Sequence, residues 1–396
     1  MTVRLSTVLA VANVVGLFLT AVMVALLFRP GPDGIDALGY HWGRDFANFW
    51  GGARLATSGS AAVLYDLAGY HAALKRVFWE GTPFLNFSYP PTILPLIAPL
   101  ALMPYPVAFA VWSGLGVAAA AWVVRLGRGR FDGRASMLLL LSPAVCFTLV
   151  IGQASAFFAA MVVGGLYLRP SRPILAGVLF GLATVKPQLG VILAIYLLWV
   201  RDFRAIAAAV ATAAALVAVS LAVWGVAPWQ GFVRVTLPYQ ADILANPRGF
   251  FSLLEFSPFV AARFAGLEPA GAWAVHLAAV GLGAGTAIVL ARRSASTALT
   301  VTVLALGTVL VTPYALAYDL VLPATALVVW AIADDVRLPW WAAVPVFVFW
   351  ITPPLMLLVG IPLVRFGAIG VLPAVVALAA AELRRTRAGA APTSRA

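Results

Sequence analysis

One cysteine and three histidines are all that 396 residues offer as thiolate or imidazole ligands. Cys146 has no partner for an intramolecular disulfide and cannot build a thiolate cluster. Inside an apolar run, it reads as a buried small hydrophobe. His41, His71 and His276 are too scattered to specify a metal, so chemistry without a metal or other cofactor is expected. Charge is also scarce: 10 % of residues carry one, against about 25 % in soluble domains. The scarcity falls mainly on acids, 14 against 26 basic residues, for a formal charge of +12. Such an excess could point to nucleic acid, but that footprint needs Lys and Arg clustered on one solvated element. Here they stand singly between apolar runs, which argues against a nucleic-acid partner. There is no Walker loop and no His-Glu-x-x-His. Gly281-Leu282-Gly283 sits inside an apolar run and reads as helix packing by small residues. No repeat of solenoid period and no low-complexity domain is present.

What the chain has in excess is apolar surface. Hydrophobic residues make up 63 % of it, with 23 Phe and 13 Trp, and the mean hydropathy is +0.99. No water-soluble core of this length needs that much, so the expectation is an all-α integral membrane protein with several spans. Arg4 precedes an apolar run from Val8 to Phe28. That run is longer than a signal-peptide core and lacks a small-residue cleavage site before a soluble chain, so it reads as an uncleaved first span.

Taking about 20 residues for a full crossing and accepting shorter helices, twelve apolar segments emerge: 8–28, 106–124, 135–149, 154–168, 173–186, 187–200, 205–224, 272–291, 297–311, 316–333, 340–357 and 363–381. With both termini cytoplasmic, the inside loops and tail together with Arg4 hold sixteen of the 26 basic residues and five of the 14 acids, as the positive-inside rule asks. This orientation predicts a long outer loop at 29–105, with a short re-entrant or interfacial helix in the proline-rich stretch Pro90 to Pro106. It predicts a second outer loop at 225–270, with an interfacial helix near Phe251 to Phe264. Residues 1–383 are then one transmembrane catalytic domain, and 384–396 a disordered cytoplasmic tail.

The short segments meet in pairs at polar turns, Gly152-Gln153 and Lys186-Pro187-Gln188. Irregular backbone at membrane depth survives only where protein or a water-filled cavity surrounds it. On this topology Asp45, Tyr89, Gln153, Lys186, Gln188, Arg248, Tyr314 and Asp319 all reach the outer face, and polar groups at a bundle edge mark a functional site. Asp45 lies among aromatics with Arg44 before it and Arg54 after it. Such a carboxylate can be a general base, or the cap of a helix beginning at Phe46. Lys186, at a broken helix before Pro187, can bind a lipid phosphate as a point charge or snorkel to the interface. Arg248, in Asn246-Pro247-Arg248-Gly249, can grip phosphate in bidentate fashion or be a solvated loop residue. Asp319 can position a substrate hydroxyl or cap the following helix.

Asp45-Phe46 with Ala53-Arg54, then Tyr65, Tyr89-Pro90-Pro91, Pro99-Leu100, Gly152-Gln153, and Ala176-Gly177 leading to Lys186 resemble the family 87 glycosyltransferases over roughly residues 40 to 320. These are polytopic enzymes of the GT-C class that use polyprenyl-phosphate sugars. The resemblance implies a GT-C-like bundle in the plasma (inner) membrane and transfer of a hexose or pentose, usually with inversion. The donor would be a polyprenyl-phosphate sugar and the acceptor an envelope glycan or glycolipid on the periplasmic side. Asp45 matches the acid that deprotonates the acceptor, and Lys186 and Arg248 are candidates for the donor phosphate. Arg54, Tyr89, Gln153, Gln188, Tyr314, Tyr318 and Asp319 are candidates for substrate binding. Some members carry Ser-Pro-x-x-Trp-x-His near the later outer turn. This chain reads Thr312-Pro313-Tyr314-Ala315-Leu316-Ala317-Tyr318-Asp319 instead, so Tyr318 or Asp319 stands in for the histidine. The competing reading is a transporter or flippase, which would place ionisable groups near the midplane of two related halves. No such halves are visible. A non-catalytic assembly protein of the envelope is a third reading.

Overall fold

The computed structural model describes residues 1–248, 250–294, 296–360 and 368–389. It is a helical bundle, and among the described residues the only sheet is a pair of three-residue strands, Thr2–Arg4 and Arg337–Pro339, antiparallel with Val3 opposite Leu338. Helix starts follow local chemistry. Asp132, Ser142, Asp202, Ser257 and Ser296 each accept a backbone N–H three residues on, which satisfies one of the free donors of the first turn. Pro143, Pro173, Pro258 and Pro269 occupy first helical positions, where a missing N–H costs nothing.

Length and composition support five or six crossings among the described residues, not the twelve transmembrane helices expected. Among the described residues five helices are long and apolar enough to cross alone: Leu5–Phe28, Tyr105–Arg128, Phe203–Trp224, Pro269–Arg293 and Trp340–Val359. The 135–149 segment is a sixth only in broken form, with Gly133–Leu140 and Pro143–Ile151 meeting at 60°. The remaining segments are shorter apolar helices, Ser155–Leu168, Pro173–Val185, Pro187–Trp199, Thr297–Val311, Ala317–Ala333 and Val371–Glu382. Residues 361–367, which open the expected last segment, lie outside the described residues. The helix after them runs on to Gly389, past the point where a disordered tail was expected, and 390–396 lie outside the described residues.

Burial explains the short helices. Thr297–Val311 and Ala317–Ala333 are buried along almost their whole length, so they are core helices walled by their neighbours. Their Thr302, Thr308 and Thr325 hydroxyls donate to carbonyls one turn back, so these buried hydroxyls are satisfied within the helix. Phe203–Trp224 is the opposite case, with few buried residues. It packs on Pro173–Leu182, where Gly177 and Gly181 bring the backbones together: a Cβ at Gly177 would strike the Ala205 carbonyl oxygen. This is the close approach that small residues allow between apolar helices. Cys146 is only half-buried, its Sγ 3.5 Å from the Leu140 carbonyl oxygen.

The 29–105 stretch folds onto one end of the bundle. It carries helices Asp45–Thr57, Leu67–Val77 and the short proline-rich Pro91–Leu102. Rings tie it down: Trp42, Phe46 and Trp50 all meet Tyr105 at centroid separations of 5.1–5.4 Å. The Tyr105 hydroxyl donates to the Trp42 carbonyl at 2.7 Å, and the Trp50 indole to the Met103 carbonyl at 3.0 Å. From Tyr105 the helix runs 24 residues to Arg128, about 36 Å at 1.5 Å per residue. The ion pairs Arg128–Asp132 (3.0 Å), Arg169–Asp202 (3.3 Å) and Arg4–Asp335 (3.3 Å) therefore belong to the other end.

Candidate functional site

Two irregular turns build the floor of the site. Gly43 (φ 78°) and Arg44 (φ 33°) reverse the chain, so that Asp45 occupies the first position of its helix, not the cap. No cap bond comes from its side chain. Opposite it, Pro143–Ile151 ends on Gly152 in the left-handed region (φ 69°), whose N–H bonds the Thr148 carbonyl. A Cβ at Gly152 would collide with Phe46 Cβ and come within 2.9 Å of the Gly43 carbonyl oxygen. Glycine is thus required both by conformation and by space. Trp112 Nε1 donates to the Gly152 carbonyl at 3.1 Å and fixes the turn.

That turn delivers Gln153 to Asp45. Gln153 Nε2 donates to Asp45 Oδ2 at 2.8 Å, while its Oε1 accepts from the Tyr89 hydroxyl at 3.2 Å and the Ala154 N–H at 3.1 Å. Burial raises the Asp45 carboxyl above the ordinary aspartate range. The Gln153 hydrogen bond and then the Arg44 and Lys186 charges pull it back, the balance expected of a desolvated but supported base.

A cavity of about 620 Å³ opens over this group. Eight of the ten residues picked from sequence line it: Asp45, Tyr89, Gln153, Lys186, Gln188, Arg248, Tyr314 and Tyr318. Lys186 is buried and ion-paired with Asp319, whose other oxygen accepts the Leu316 N–H at 3.1 Å. Its ammonium lies 5.0 Å from the Tyr318 ring centroid and 5.8 Å from that of Phe158. Snorkelling does not describe it. Arg248 is exposed at the rim and bonds Asp242 Oδ2 at 2.6 Å; Gly249 beside it lies outside the described residues.

Two picks fall elsewhere. Arg54 is exposed, outside the lining, with its guanidinium 5.3 Å from the Trp50 ring. Asp319 is fully buried behind Lys186 and does not reach the cavity surface. Its side chain accepts the Leu316 N–H from the third position of its turn and pairs with the lysine. In turn, sequence reasoning passed over Arg44, Asn48, Asn86, Ser88, Tyr239 and Gln240, all of which line the cavity. The Arg44 guanidinium sits 4.5 Å from the Phe28 ring centroid and 4.1 Å from that of Tyr40, with Nε 3.5 Å from Asp36 Oδ2. Gln240 Nε2 donates to the Ser88 carbonyl at 2.7 Å and ties the second loop region to the first. Helical spacing was the available signal for Asn48, three residues after Asp45 on the same face.

A helical membrane protein with a chamber at one end of its bundle, bordered by an acid and a lysine, is the class these features define. The sequence comparison narrows it. The model of glycosyltransferase family 87 matches residues 87–313, more than half of the chain, and the chain belongs to that family. Its activity is accordingly that of a membrane glycosyltransferase, which brings together a sugar donor and an acceptor. No curated protein and no solved structure matches the chain. Asp45 precedes the matched region; Tyr89, Gln153, Lys186, Gln188 and Arg248 fall within it.

Proposed function

We propose that this protein transfers a hexose or pentose from a polyprenyl-phosphate donor to an envelope glycan or glycolipid, on the periplasmic side of the plasma membrane and with inversion. Residues 1–383 act as one GT-C-like catalytic unit. The observation that carries the reading is the shared cavity: the Asp45 carboxylate, the Lys186 ammonium and the Arg248 guanidinium border one chamber. Asp45 takes the proton of the acceptor hydroxyl. The hydroxyl oxygen then bonds to the anomeric carbon as the bond from that carbon to the phosphate oxygen breaks. The electron pair leaves with the polyprenyl phosphate, whose growing negative charge meets Lys186 in the wall and Arg248 at the rim. Gln153 and Tyr89 hold the base in place, and Tyr314, Tyr318 and Gln188 offer hydroxyl and amide contacts to the sugar.

Purified protein in lipid, offered a panel of polyprenyl-phosphate sugars, tests this. Transfer abolished by Asp45→Asn with the thermal transition unchanged is the expected result. An undiminished rate in that variant removes Asp45 as base. Substrate flux in liposomes without covalent product would instead make the protein a transporter.

A further inference from the structure

Lys186 and Asp319 are the two halves of a buried pair, with side chains 6 % and 0 % exposed, and only the lysine borders the cavity. Asp319 is fixed independently of Lys186. It sits in the turn Ala317–Leu320, and its second oxygen holds the Leu316 N–H. That turn is anchored in its own right, because the Phe256 N–H donates to the Ala315 carbonyl at 3.1 Å and the Ala317 N–H to the Leu254 carbonyl at 2.8 Å. Among the described residues the lysine has no comparable backbone anchor for its charge. Its four-carbon stem leaves a break in the chain between Pro173–Val185 and Pro187–Trp199, and without a partner the ammonium would swing toward the rim, as lysines near helix ends do.

Resting on the donor reading above, we infer that Asp319 is a positioning residue for the donor phosphate. It never touches the donor, and it acts through Lys186 by holding that ammonium at the cavity wall as its buried counter-ion. The pair is neutral when the site is empty, so the wall carries no unbalanced buried charge. A phosphate arriving in the cavity meets an ammonium already in place, with hydrogens left over once Asp319 has taken one. The chemistry recognised is a phosphate with a lipid tail.

The test is a double-mutant cycle on the intact protein in nanodiscs, read as affinity for a polyprenyl phosphate that carries no sugar. Asp319→Asn keeps an acceptor for the Leu316 N–H but removes the charge. It is expected to weaken binding about tenfold and to lower the thermal transition, because the buried ammonium loses its counter-ion, and Lys186→Ala to weaken binding at least as much. Because Asp319 works through Lys186, the double variant should bind no worse than Lys186→Ala alone. In transfer assays Asp319→Asn should raise the donor KM more than it lowers kcat. Losses that multiply in the double variant, or wild-type affinity in Asp319→Asn, overturn the inference. Asp319→Ser gives the same cycle if the asparagine variant does not fold. Wild-type protein that ignores the polyprenyl phosphate overturns the donor reading and this inference together, whereas multiplied losses on a wild type that binds overturn this inference alone. Binding involves no proton transfer, so an error in assigning Asp45 leaves the readout untouched.

Discussion

Gln153 Nε2 lies 2.8 Å from Asp45 Oδ2, a contact that spans 108 residues of sequence. The amide cannot turn over, because its oxygen is already engaged by the Tyr89 hydroxyl and the Ala154 N–H. The Gln153 side-chain amide is therefore held as the donor to Asp45. Among the described residues no hydrogen bond reaches Asp45 Oδ1, which leaves that oxygen for an acceptor hydroxyl.

The first consequence concerns the base itself. Asn in place of Asp45 keeps an oxygen for Gln153 but cannot take a proton. Transfer should fall about 10²–10⁴-fold, the usual worth of a positioned base, with the melting temperature within a degree or two of wild type. Turnover of donor by Asp45→Asn, measured beside its thermal transition, decides the point.

The second concerns pH. Burial raises the Asp45 carboxyl and the Gln153 hydrogen bond is the foremost influence lowering it. Gln153→Leu removes a donor to the charged form, so the proton is held to higher pH. The acid limb of kcat/KM should move upward. A limb that stays in place would mean that Gln153 does not touch the working carboxylate.

How much of this could be read from the sequence differs from residue to residue. The turns Gly152-Gln153 and Lys186-Pro187-Gln188 announced themselves because polar groups and broken helices in apolar surroundings need a cavity. Both do border one. Helix lengths did not announce themselves: Thr297–Val311 and Ala317–Ala333 are apolar on every face, and hydropathy does not separate a walled-in core helix from a lipid-facing span. Arg54 illustrates a different failure. It is near Asp45 in sequence, but nine residues at 100° each place it on the opposite side of the helix. Asp319 read as a cap, but the cap residue is Leu316, and Asp319 accepts its N–H from the third position of the turn. Its bond to Lys186 joins residues 133 apart, which no local pattern encodes.

Gly152 supplies the third prediction. Its φ of 69° disfavours any side chain, and an added methyl meets Phe46 Cβ and the Gly43 carbonyl. Strain and overpacking together should cost about 2–4 kcal/mol in Gly152→Ala. The displaced groups flank Asp45, so activity should drop more steeply than stability. Chemical denaturation and transfer rates on the same preparation separate the two, and a variant as active and as stable as wild type would show that the turn tolerates a left-handed alanine.

Glu255 gives the last. It is fully buried, in the stretch between the spans Phe203–Trp224 and Pro269–Arg293, and among the described residues neither carboxylate oxygen has a hydrogen-bond partner. Burial pushes its pKa up from 4.5 to about 8. The folded protein therefore holds a proton that the unfolded chain releases above pH 4.5. Between about pH 4.5 and 8 the folded state binds more protons, so this group makes stability fall as pH rises, by an amount on the order of 5 kcal/mol across the window. Glu255→Gln cannot lose that proton and should flatten the decline, with its advantage over wild type small at pH 5 and largest at pH 8. Melting temperatures of both proteins across that range measure it. A parallel pair of curves would mean that the carboxylate finds a partner when it ionises.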